Sequence, residues 1–199
     1  MRGFNYKKTV QALNFFASRS ENGIINKMKA IKLIWLSDRL HLREYGRLIS
    51  GDTYYALPNG PVPSATRDVL ENSAFLDDTA SDYASQYLKI TDRYNYCSIA
   101  DVNLKVFSQT DKDALERVFD VYGKKDQFEL SSFSHLFPEW KRFESALSKK
   151  LSSRFEILQD DFFLNIEEPS GLFTEANSND ISISKQIFEE NMKMLSLCQ

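Results

Sequence analysis

The chain predicts an α+β fold, predominantly α-helical, in a single domain with a small antiparallel β-sheet or hairpin. Helical periodicity runs through most of its 199 residues, while two-residue alternation is confined to residues 86–99. Only 7 glycines and 5 prolines punctuate it, too few for a sandwich of many strands and turns. Hydrophobic residues make up 42% and aromatic residues 13%, enough to bury a core and to exclude wholesale disorder.

Each element has its own signal. In "FNYKKTVQALNFFASRS", Tyr6, Val10, Leu13 and Ala17 share one helical face, with Ala12 and Phe16 beside it, and Asn22-Gly23 marks the next turn. From Lys27 to about Glu44 the chain is apolar on most sides of a helix, so this is the buried central helix. Gly46 and Gly51 end it and turn the chain into a short strand, "DTYYAL". Pro61 and Pro63 keep the chain extended until Ser64 caps a helix reaching Asn72. A hairpin over residues 86–99 turns at Asp92-Arg93. Thr110 with Asp113 reads as a capping box for a helix from Asp111 to Tyr122, closed by Gly123. Asp126 with Glu129 opens a short helix ending near Leu136, and Pro138 starts another through Leu151. Residues 167–183 read as a loop. From Ser184 a last amphipathic helix places Ile187, Phe188, Asn191, Met192 and Leu195 on one face. We therefore expect a domain over residues 1–165, followed by a loop and helix over residues 166–199.

Composition narrows the function. A formal net charge of −3 leaves no basic footprint for a nucleic-acid binder. Cys97 and Cys198 form no close pair, which excludes a disulfide scaffold or zinc knuckle. No 18-residue apolar run and no apolar leader core occur, so the expectation is a soluble, cytoplasmic protein without membrane contact. His41 and Glu44 stand three apart, as in some metal sites, but with His135 the only other histidine no ligand set is complete. Phosphate-loop, G-x-S-x-G and H-E-x-x-H patterns are absent, and no Cys-His pairing stands at a recognisable spacing. The reading is therefore a non-enzyme with no cofactor and no metal.

Residues 38–65, "DRLHLREYGRLISGDTYYALPNGPVPSA", put charges, a histidine, glycines and prolines directly after the most apolar helix. Asp38 shares a helical row with Ile31, Ile34, Trp35, His41 and Leu42. A carboxylate in such a row must be paired or hydrogen-bonded. Arg39 points about 100° away and is a poor partner. Candidates are the hydroxyl of Tyr54 or Ser64, a backbone N–H, or a side chain of the 135–140 segment. Gly51 supplies a positive φ in a turn where Asp52 bonds nearby N–H groups. A winged-helix DNA binder would need a basic recognition face. "SATRDVLEN" offers one Arg against two acids, and the basic stretch "KRFESALSKKLSSR" reads as a solvated face.

The stretch "KAIKLIWLSDRLHLREYGRLISGDTYYALPNGPVPSA" resembles the signature of the SocA-like Panacea domain, a family of bacterial and phage antitoxins. The resemblance rests on Asp38, Arg39 and His41 at the helix end, then Tyr45-Gly46, Gly51-Asp52, and Gly60-Pro61-Val62-Pro63-Ser64. "QTDKDALERVFDVYG" matches the family's capped helix, and "LSSFSHLFPEW", with His135 and Trp140, resembles its distal motif. Together they span roughly residues 4–163.

The resemblance implies a mostly helical domain, without enzymatic activity, that neutralises a toxin encoded by an adjacent gene by binding it directly. Alternatives are an adaptor that delivers the toxin to an ATP-dependent protease, and a winged-helix-like DNA-binding regulator. On this reading the motif residues form a hydrogen-bonded structural frame. Partner choice lies in exposed, variable positions, for which the tail from Glu167 to Gln199, with Phe173 and Phe188, is the candidate. The alternative is that its last helix closes the domain's own core.

Overall fold

Asparagine side chains start both N-terminal helices. Asn5 accepts the Lys8 N–H at the head of α1 (Tyr6–Ser18). Asn26 accepts those of Met28 and Lys29 at the head of α2 (Lys27–Tyr45), the central helix. The computed structural model describes residues 3–174 and 178–197. Two three-stranded antiparallel sheets flank α2. In one, β5 (Asn95–Ser98) lies between β1 (Ile24–Asn26) and β4 (Leu88–Ile90), with Ile25 opposite Tyr96. In the other, β2 (Tyr54–Leu57) lies between β3 (Gly60–Pro63) and β6 (Phe155–Glu156), with Tyr55 opposite Val62 and Glu156. The fold is α+β and mainly helical.

The remaining helices are α3 (Ser64–Glu71), α4 (Asp78–Ser85), α5 (Gln109–Tyr122), α6 (Gln127–Ser134), α7 (Pro138–Lys141), α8 (Glu144–Ser148) and α9 (Ser178–Leu197). Helices α1, α5, α6 and α9 pack on α2, whose Leu33, Trp35, Leu36 and Leu40 are fully enclosed. Among the described residues no helix is long and apolar enough to cross a membrane.

Departures from the sequence expectations have local causes. Strands β1 and β6 have three and two residues, too short to show a period. Helix α4, "DTASDYAS", buries only Ala80 and Ala84, so it has no apolar stripe to read. The capping box of α5 is Ser108 with Asp111, not Thr110 with Asp113, because the Thr110 hydroxyl faces His41 instead. The N-cap position of α3 falls on Pro63, and its first N–H groups bond to Asp52 rather than to Ser64. The helix expected from Pro138 breaks at Arg142–Phe143. There Phe143 stacks on Phe155, centroids 5.2 Å apart, and Arg142 turns to Asp161. Helix α9 begins at Ser178, before the expected Ser184. The side chain of Leu195, and Cys198, lie outside the described residues.

Candidate interaction surface

Helix α2 carries Lys32, Asp38, Arg39, His41 and Arg43, each no more than 3% exposed. Buried charge is tolerated only where hydrogen bonds replace water. These side chains find their partners outside their own helix, in several parts of the chain, so the helix works as a polar hub inside an apolar core.

Asp38 holds the chain just beyond its own helix. It accepts the N–H groups of Ile49 (2.7 Å) and Ser50 (3.0 Å), the Ser50 hydroxyl, and the Tyr54 hydroxyl (2.6 Å). Burial pushes its carboxyl up to about 6, against the pull of those donors. Arg39 turns away, as its angle on the helix requires. Its Nε donates to Glu139 at 3.0 Å and its Nη2 to the Leu164 carbonyl at 2.6 Å. Its guanidinium lies 4.8 Å from the Phe137 ring centre and 5.0 Å from that of Phe173. Arg43 donates to the carbonyls of Phe162, Phe163 and Leu164 and to Asn165 Oδ1.

His41 belongs to a separate network from Asp38. Its Nδ1 is 2.9 Å from the Arg47 carbonyl, which assigns the ring proton there, and Nε2 meets the Thr110 hydroxyl at 3.0 Å. Burial lowers the imidazole to about 4, so it is neutral near pH 7. Asp111, 3.3 Å from Nε2, is tied instead to Lys8 and Arg47. Tyr45, 39% exposed, tilts over the His41 ring at 4.7 Å. Glu44 pairs with Arg117, so the i,i+3 pair does not converge on a metal. No group of His, Cys, Asp and Glu able to hold a metal ion occurs among the described residues.

The glycines mark close approaches. Gly46 ends α2 with φ +66, and a Cβ there would lie 2.5 Å from the Ser184 carbonyl oxygen and 2.8 Å from Ile187 Cβ of α9. At Gly51 (φ +65) a Cβ would overlap the Gly3 carbonyl. Next to it Asp52 accepts from Thr53, Ala65 and Thr66 N–H groups and the Thr66 hydroxyl, which fixes the head of α3.

The β2–β3 turn is gripped from three sides. Trp140 Nε1 donates to the Leu57 carbonyl (2.7 Å), Ser131 to that of Asn59 (3.0 Å), and Lys32 Nζ to that of Pro61 (2.8 Å). The His135 ring stacks on Trp140 with centroids 3.7 Å apart. A Cβ at Gly60 would overlap Ser134 Oγ and come within 2.6 Å of Lys32 Nζ. The distal motif thus meets the β2–β3 turn in space, Trp140 at Leu57 and Ser134 at Gly60, whereas Asp38, Arg39 and His41 hold other loops.

The outer side of this turn walls a groove of about 960 Å³. Met28, Ile31 and Lys32 of α2 line it, with Val62, the β4–β5 turn at Arg93 and Tyr94, and Phe128 at the start of α6. Tyr94 is 62% exposed and Phe128 66%.

In the tail, Phe173 and Phe188 both pack against the body of the chain. Phe173 is 1% exposed, packed among Tyr122, Phe137 and Arg39, because the Glu168 carboxylate accepts its N–H and folds the segment inward. Phe188 is half-buried against Phe163, 5.8 Å away. Phe173 is enclosed, while Phe188 keeps part of its ring in solvent.

Sequence reasoning missed Lys32, Arg43, Glu139 and Asp111 in the frame. The first two carried a usable signal, since any charge on a helix apolar on most sides has to be buried with a partner.

The family model for the antitoxin SocA-like Panacea domain matches residues 31–141. No curated protein and no solved structure matches the chain.

Proposed function

The chain belongs to the SocA-like Panacea-domain antitoxin family, and on that premise we propose that it neutralises a cognate toxin by binding it directly. The observation that carries this reading is how the ionisable motif residues are engaged. Asp38, Arg39, His41 and Asp52 are buried, and each is bonded to a loop or a helix head of its own chain. Such residues build a frame rather than a reaction centre. What is left to meet a partner is the surface that the frame holds still. We place the toxin gene next to this one and the encounter in the cytoplasm.

Co-expression with the product of each neighbouring gene tests the reading. The expected result is that one neighbour alone arrests growth, and that this chain restores growth and co-purifies with it. Rescue that persists without the major ATP-dependent proteases supports occlusion, and rescue lost there supports delivery for degradation. If no neighbour is toxic and none co-purifies, the antitoxin reading fails.

A further inference from the structure

The groove beside the β2–β3 turn carries charge opposite to that of the chain as a whole. Lys27, Lys32, Arg67 and Arg93 line it against the single carboxylate of Glu71, on a protein of formal net charge −3. Glu71 pairs with Arg67 at 2.7 Å, which leaves Lys27 and Arg93 as the rim cations. Lys32 lies beneath its floor, 1% exposed. Burial lowers it to about 7, so near neutral pH its charge is carried only part of the time, but where present it is poorly screened and adds to that of the rim cations. Its hydrogen bond goes to the Pro61 carbonyl, and no carboxylate pairs with it among the described residues. At the rim, Tyr94 and Phe128 stand largely in water, with Arg93 5.5 Å from the Tyr94 ring centre. Aromatic and Arg side chains around an apolar floor are the composition of interface centres.

We propose that this groove is the toxin-docking surface, and that its occupant is a segment of the toxin carrying a carboxylate between apolar side chains. The proposal rests on the reading of the chain as a direct-binding antitoxin. The carboxylate sits among the rim cations above Lys32, and its apolar neighbours cover Tyr94 and Phe128. The wall is set before binding, because Trp140, Ser131 and Lys32 already hold the turn. Little ordering is then lost when the segment enters. Nucleic acid fits less well, since the floor is Met28, Ile31 and Val62 rather than donors aimed at phosphates.

The test mixes the purified full chain with the purified product of the toxic neighbouring gene in titration calorimetry at low and high salt. Arg93→Glu and Phe128→Ser should each weaken binding at least tenfold and reduce growth rescue. Leu151→Ser, at a position 73% exposed and outside the groove, should leave both unchanged. Thermal melts check folding, and Tyr94→Ser replaces any groove variant that melts early. Wild-type affinity in all groove variants would overturn the docking proposal and leave the antitoxin reading standing. A wild-type chain that neither binds nor rescues would remove the antitoxin reading, and the proposal with it. Groove-dependent binding of a DNA or RNA oligonucleotide instead of the toxin would also overturn it.

Discussion

Lys32 has less support than any other buried charge on α2, a single carbonyl at 2.8 Å for an ammonium with three donors. Burial lowers it from 10.5 to about 7 in the folded chain. Between those values the unfolded chain binds more protons than the folded one, so this residue's burial cost is full below pH 7 and fades as pH rises. Lys32→Met removes the titration, so the gap between wild-type and variant melting temperatures should shift in the wild type's favour by about 4 °C or more from pH 7 to pH 10. Parallel curves across that range would refute the assignment. Asp38 is the opposite case, a carboxylate met by four donors. Asp38→Ala leaves those donors buried without an acceptor, which costs about 3 kcal/mol or more. A midpoint about 6–12 °C lower is the expected melt, and an unchanged one would show the network to be dispensable.

At the level of elements, α2 stops at Gly46 because only a residue without Cβ can turn left-handed there with α9 lying against it. Gly46→Ala should cost about 1–3 kcal/mol in backbone strain alone. It should also lift α9, seen as faster amide exchange over residues 184–194, and exchange at the wild-type rate would contradict the close packing. Elements that carry their own period or caps are legible in the sequence: α1, α2, α6 and the hairpin of β4 and β5. Elements set by a distant partner are not. Strand β1 exists because β5 pairs with it, and the break between α7 and α8 follows from the Phe143–Phe155 stack. The site divides the same way. Asp38 could be found from its helical row, and Tyr54 was among the partners named for it. Arg39 and Arg43 obey the same rule, but their acceptors lie 100 to 125 residues away, beyond the reach of any local pattern. The groove rim joins Tyr94 and Phe128, which no motif connects.

Across the whole molecule, the matched family segment ends at residue 141, while the frame extends to Asn165, Glu168 and Phe173. A chain cut after residue 150 would leave the Arg43 guanidinium buried without its four acceptors, and Phe137 without the Phe173 ring. Such a fragment should lack a cooperative thermal transition by circular dichroism, and a sharp native-like melt would show that residues 151–174 are an appendage. The same long reach sets a timetable during synthesis. Arg39 leaves the ribosome's active centre 125 residues before Leu164, its acceptor. At about 5–20 residues per second that is a delay of about 6–25 s. Nascent chains stalled short of residue 164 should therefore be cleaved readily by added protease, while full-length released chains resist. A message broken before that point then yields no folded product, so the amount of folded protein follows completed chains rather than started ones.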